Sequence, residues 1–161
     1  MFTEEQFSHL AKKYMDTVFR LAFNYLKSQS EADDVTQEVL IKLYRTDKEF
    51  DNEEHIKHWL IRVTINECKK AFLSPWKRIE PIEDYASTLS FTSPEHGELF
   101  YAVMDLPKKY RVPIFLYYYE DYSCEEISSF LSIANATVRT RLRRGREILK
   151  TKIQEGENNV R

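Results

Sequence analysis

SCEEISSFLSIANATVRTRLRRGREIL, residues 123–149, decides how this chain is read. Ser123 followed three residues later by Glu126 is a capping-box pattern, and it opens a short helix over 124–131. Ser132-Ile133-Ala134 makes a tight turn. A last helix then runs over about 136–152, with Asn135 as its N-cap. Short helix, turn and longer helix make the helix-turn-helix plan. At about 100° per residue, Val138, Leu142, Gly145 and Leu149 fall together and pack inward. Gly145 allows close approach by a neighbouring helix. Arg139, Thr140, Arg143 and Arg144 lie on the opposite side, where arginines can reach guanine edges and phosphates in a major groove. Glu147, four residues after Arg143, is placed to pair with it. The bland alternative is a solvated basic face.

Working back from this stretch, Leu106-Pro107 starts a helix over 107–119. Ser93-Pro94 starts one over 94–105, as cap and first helical position. Residues 74–94 hold three prolines and several hydroxyl residues with no sustained period, which predicts a linker over most of that stretch. Before it come three helical patterns. The first, over 4–28, repeats Phe7, Leu10, Ala11, Tyr14, Val18, Leu21, Ala22 and Tyr25, behind a Thr3/Gln6 capping box. The second spans 31–45 behind Ser30 and Asp33, with Val35, Val39, Leu40 and Leu43 inward. The third spans 54–73, with Ile56, Leu60 and Val63 as its core stripe and Trp59 at the border. The expectation is an all-α chain of two small helical domains, 1–73 and 94–161, joined by a flexible linker over 74–93.

Composition agrees. Only three glycines and no Asn-Gly or Asp-Gly pair occur in 161 residues, which disfavours hairpins. Aromatic residues make up 14 %, enough to give small cores a large buried area per residue. Cys68 and Cys124 stand alone, without metal or disulfide spacing, which suits a reducing compartment. The acidic, amphipathic start does not read as a secretory signal, and no apolar run is long enough to span a bilayer. A cytoplasmic location is expected.

The net charge of −2 conceals two basic blocks. Residues 135–152 carry seven basic side chains and one acidic, and residues 59–79 carry five and one. Local basic stripes are the footprint of phosphate binding. In the second block His58, Arg62, Asn66 and Lys69 form a stripe, with Lys70 beside it. Spacing alone leaves two readings: a solvated stripe, or a surface that tracks a single strand and reads an unstacked base. Asp34, Gln37, Glu38 and Ile41 share the outer face of the second helix. An exposed isoleucine among carboxylates points to a protein partner, against a plain acidic face. A metal on these carboxylates would need His9 or His55 at no motif spacing, and none is expected. Residues 80–105 carry six carboxylates and no lysine or arginine, as a solvated spacer would, or a segment that threads a basic channel. No Ser-His-Asp order, P-loop or HExxH occurs, and no enzymatic activity, cofactor or small-molecule substrate is expected.

Three stretches resemble one family. YLKSQSEADDVTQEVLIKLYR is similar to the core-binding segment of extracytoplasmic-function RNA polymerase sigma factors. HWLIRVTINECKK is similar to their promoter-melting, minus-ten-reading helix. LPKKYRVPIFLYYYEDYSCEEISSFLSIANATVRTRLRRGREILK is similar to their C-terminal domain. The matches stand in the family's order and cover most of the chain. The resemblance implies that Asp34, Gln37, Glu38 and Ile41 bind core RNA polymerase. It implies that Phe50, Asp51, Asn52, Glu53, Glu54 and Asn66 capture a flipped base of the minus-ten element, with Arg62, Lys69 and Lys70 near that strand's backbone. It places Arg139, Thr140, Arg143 and Arg144 in the major groove of the minus thirty-five element, and the acidic connector in the polymerase. It also implies an anti-sigma partner, often membrane-bound in that family. Asn135-Ala136 departs from the family's usual Pro-x-Gly, Arg143 from an apolar residue, and Thr46–Glu54 from a glycine-containing loop. The rival readings are a free-standing helix-turn-helix regulator, a sigma-like module that titrates an anti-sigma factor, and a metal-dependent enzyme.

Overall fold

The computed structural model describes residues 1–73 and 94–159, with side chains at 1–73 and 97–156. All regular structure in the described residues is helical. The chain divides into two units, residues 1–80 and 81–161.

The first unit packs three helices. In α1 (Glu4–Leu26), the Gln6 N–H donates to Thr3 Oγ1 at 3.1 Å and the Thr3 N–H to Gln6 Oε1 at 3.0 Å, closing the capping box. The helix stops two residues short of the expected 28, at a left-handed Lys27. The second helix, α2 (Gln29–Arg45), starts earlier than expected: Ser28 is its N-cap, and Ser30 lies in the first turn. Two serines two residues apart offer the same local signal, and Lys27 in the left-handed region turns the chain soon enough for the first to win. Asn52 caps α3 (Glu53–Phe72), its side chain accepting from the His55 N–H at 2.8 Å.

The core of this unit holds Leu10, Val18, Leu21 and Leu26 of α1, Val35, Val39 and Leu43 of α2, and Ile56, Leu60, Ile61, Ile65 and Cys68 of α3. Val63, expected in the core stripe, is only half-buried. The inward arc runs through Ile61, Thr64, Ile65 and Cys68 because α3 packs against both α1 and α2. Its buried hydroxyl is satisfied: Thr64 donates to the Leu60 carbonyl at 2.6 Å, as Thr36 does to Ala32 at 2.7 Å.

The second unit holds α4 (Pro94–Met104), α5 (Lys108–Ile114), α6 (Cys124–Leu131) and α7 (Asn135–Asn159). The single helix expected over 107–119 is α5 followed by a π-helical turn, Phe115–Tyr119. Pro113 lies inside α5 and has no N–H for the carbonyl four residues back. Just beyond it the ladder widens, and the Glu120 N–H reaches the Phe115 carbonyl at 3.3 Å. Arg111 is buried and donates to the Leu106 carbonyl at 2.9 Å, so this cation serves the fold. The Ser123/Glu126 capping box of α6 is formed, and Ser132 ends the helix in the left-handed region.

The last helix differs from expectation at both ends. Asn135 is its first residue, not its cap: the Val138 N–H bonds the Ala134 carbonyl at 3.1 Å, and Asn135 Oδ1 has no partner. The helix also runs past 152 to Asn159, since no proline or turn pair follows Lys152. No helix among the described residues is long and apolar enough to cross a membrane. The expected linker over 74–93, the Ser93 cap and most of the acidic connector lie outside the described residues.

Candidate nucleic-acid and protein interfaces

The face of α7 follows from its packing. Val138, Leu142 and Leu149 are buried against the unit's other helices. A Cβ at Gly145 would stand 3.0 Å from Ile114 Cγ1 and 3.4 Å from Tyr110 Cβ, so α5 approaches this point as only glycine allows. With that side fixed, Arg139, Arg143 and Arg144 are exposed and Thr140 is half-exposed. No ion pair joins Arg143 to Glu147, contrary to the i,i+4 expectation.

Two flanking features escaped the sequence reading. Arg146 donates to the Tyr118 hydroxyl at 3.0 Å, anchored by the π-helical turn. Lys109 and Tyr110 face Thr137, Thr140, Arg141 and Arg144 across an open cleft. Burial pushes the Tyr110 phenol up, but hydrogen bonding to Arg144 and then Lys109 outweighs it and holds the group below its ordinary value. The signal was visible as Lys108-Lys109-Tyr110, but nothing local placed it beside α7.

On α3, Arg62, Asn66 and Lys70 are exposed, and His58 and Lys69 are half-buried. The loop before the helix is built around Phe50, whose ring stacks on Phe2 (5.8 Å, 14°) and meets His55 and Trp59 edge-on. Lys48 Nζ lies 5.9 Å from the same ring. Neighbouring candidates carry structural tasks. Asn52 caps the helix, and the Asp51 N–H donates to His55 Nδ1 at 3.3 Å. Glu53 accepts from Lys13 Nζ at 2.6 Å and from the Tyr14 hydroxyl at 3.0 Å, tying α3 to α1. The hydrogen bond from Lys13, then that from Tyr14, holds its carboxyl below the usual range. Glu54 is exposed. Asn66 lies thirteen residues beyond Glu53 on α3, and the Phe50 ring meets Trp59, seven residues before Asn66.

On α2, Asp34, Gln37, Glu38 and Ile41 are all exposed, Ile41 by 42 %. Tyr44, three residues after Ile41 and 44 % exposed, extends this face and was missed, though its spacing was legible. No third ligand joins Asp34 and Glu38 among the described residues. Behind the face, Lys42 bonds the buried carboxylate of Glu67 on α3, which also accepts from Lys70 at 3.3 Å. Burial pushes the Glu67 carboxyl up; the bonds from Lys42 and Lys70 outweigh it and hold the group below its ordinary value. The helix that carries the acidic face is thus pinned to the helix that carries the cationic stripe.

Comparison with known proteins agrees along the chain. The family model "Sigma-70 region 2" matches residues 10–78, and "Sigma-70, region 4" matches residues 96–149. RNA polymerase sigma factor SigV of Bacillus subtilis is 30 % identical over 141 residues, covering 84 % of this chain and 83 % of that protein. ECF RNA polymerase sigma factor SigW of the same organism is 27 % identical, covering 94 % of this chain and 91 % of that protein. Among solved structures, CnrH in complex with the cytosolic domain of CnrY aligns at a TM-score of 0.69 and 19 % identity, covering 95 % of this chain and 90 % of that one. The sigma factor RpoE in complex with the anti-sigma factor NepR, from Bartonella quintana, aligns at 0.71 and 19 %, covering 92 % and 96 %. These two share the fold.

Proposed function

The chain belongs to the extracytoplasmic-function RNA polymerase sigma factors, and from that premise we propose how its surfaces divide the work. It binds core RNA polymerase in the cytoplasm, directs promoter-specific initiation and is held in check by an anti-sigma factor. The polymerase does the chemistry, and the chain itself catalyses nothing. Residues 1–73 form the unit for core polymerase and the minus-ten element, residues 74–93 link the units, and residues 94–161 form the unit for the minus thirty-five element.

Asp34, Gln37, Glu38 and Ile41 form the polymerase contact, with Tyr44 at its edge. The minus-ten strand runs along α3. The Phe50 cluster, with Asp51 to Glu54 around it, and Asn66 capture a flipped base of that strand. Arg62, Lys69 and Lys70 follow the backbone. Unstacking costs about a few kcal/mol by analogy with base-flipping proteins. Contacts to the captured base offset that cost and nucleate melting. Arg139, Thr140, Arg143 and Arg144 enter the minus thirty-five major groove.

The observation that carries this reading is α7 itself: one face fully packed, the other presenting three exposed arginines. Alanine at Arg144 should cost roughly 1–3 kcal/mol of promoter discrimination if it grips guanine. Holoenzyme binding to a promoter and to the same DNA with a scrambled minus thirty-five element tests it. A loss confined to the promoter supports base reading, and an equal loss on both duplexes would falsify it.

A further inference from the structure

The cleft between the start of α5 and the flank of α7 has a composition that the reading above leaves unused. It is open, about 340 Å³, and lined by Lys109, Tyr110, Ala136, Thr137, Thr140, Arg141 and Arg144. Three cations from two helices share one opening with three hydroxyls, and no carboxylate is in the lining. Like charges gathered without a counter-charge repel one another, and an anion seated among them relieves the cost. Lys109 Nζ lies 5.0 Å from the centroid of the Tyr110 ring, and Tyr110 Cβ packs at Gly145. The α5 side of the cleft is thus held in place by the same close approach that fixes the α7 face.

We propose that this cleft is a phosphate subsite that takes one backbone phosphodiester of the duplex α7 reads, making Lys109 and Tyr110 DNA-contacting residues outside the recognition helix. The inference rests on the reading of α7 as that helix. A duplex phosphate fits better than a free anion because Thr140 and Arg144 belong both to the cleft and to the outer face. DNA lying along that face brings a phosphate to the opening. Phosphate contacts of this kind set register and orientation and carry no base information.

The test uses holoenzyme and a promoter duplex in a salt series. Each phosphate contact adds about 0.9 to the slope of log affinity against log salt. Lys109→Ala should lower the slope by that amount, so its deficit against wild type shrinks roughly threefold between 50 and 200 mM salt. The deficit should be equal on promoter and scrambled minus thirty-five DNA, and Lys109→Arg should restore the slope. Neutral methylphosphonate linkages placed one at a time should reveal a single position where wild type loses affinity and Lys109→Ala loses no more. An unchanged slope, or a deficit that persists on every modified duplex, overturns the subsite. So does competition by millimolar inorganic phosphate without a slope change, which identifies a free-anion site. Lys109 is exposed, so unfolding does not confound the variant. If wild-type holoenzyme formed no promoter-specific complex, the reading beneath the proposal would fail instead.

Discussion

Glu67 is the one acid among residues 59–79, and its position explains why that basic block folds as it does. Its carboxylate is buried and bonded to Lys42 and Lys70. Glu67→Gln should destabilise the first unit by about 1–2 kcal/mol, less than a fully buried pair would lose because Lys42 remains partly solvated. The folded pKa lies below the unfolded value, so the stabilisation is present above about pH 4.3 and disappears as pH falls through the lower folded value. Lys42 has the opposite sign: its folded pKa is raised, chiefly by the hydrogen bond to Glu67. Its contribution is full below about pH 10.4 and lost as pH rises through the folded value. Thermal melting of wild type and Glu67→Gln from pH 3 to 7 checks this, and the gap between them should close in acid. The two glycines of α7 make a second residue-scale test. Gly145→Ala must displace buried Ile114 and should cost about 1–3 kcal/mol. Gly156→Ala meets open space and should gain up to about 1 kcal/mol of helix stability. Urea titrations of the two variants should move in opposite directions.

At the scale of the helices, the elements whose signals are local were legible. The capping boxes at Thr3 and Ser123 formed as read, and the inward and outward faces of α2 and α7 follow from spacing, except that Leu40 is only half-buried. What was not legible depends on partners distant in sequence or on competing local signals. Ser28 and Ser30 gave equivalent cap signals. Pro113 lies in a stretch read as one helix, and the π-helical turn beyond it was not foreseen. The Glu67–Lys42 pair joins residues 25 apart, and the Lys109–Tyr110 cleft needs α5 and α7 folded together. The exposed α2 face carries its own prediction. Ile41→Ala should leave melting within about 0.5 kcal/mol of wild type, as surface substitutions do, yet lower affinity for core polymerase. Thermal melting and a core-binding titration on the same protein check both halves. A matched loss of stability and binding would assign Ile41 to the fold instead.

For the whole molecule, net charge is a poor guide and its distribution a good one. A chain of net charge −2 places seven of its basic side chains within residues 135–152 and five within 59–79. The two blocks fall in different units. Such a chain can grip two separated DNA elements while remaining acidic elsewhere, which favours a protein partner to hold the complex together. Promoter binding by holoenzyme should therefore weaken steeply with salt. The chain alone should bind duplex far less tightly than holoenzyme does. This chain confers promoter choice on core polymerase, and run-off transcription from fragmented source genome, with and without the chain, tests it. New transcripts should appear only with the chain and share two upstream elements at fixed separation. No new transcripts while the chain still binds core would contradict it and leave a titrating module; duplex binding without core binding would leave a free-standing regulator.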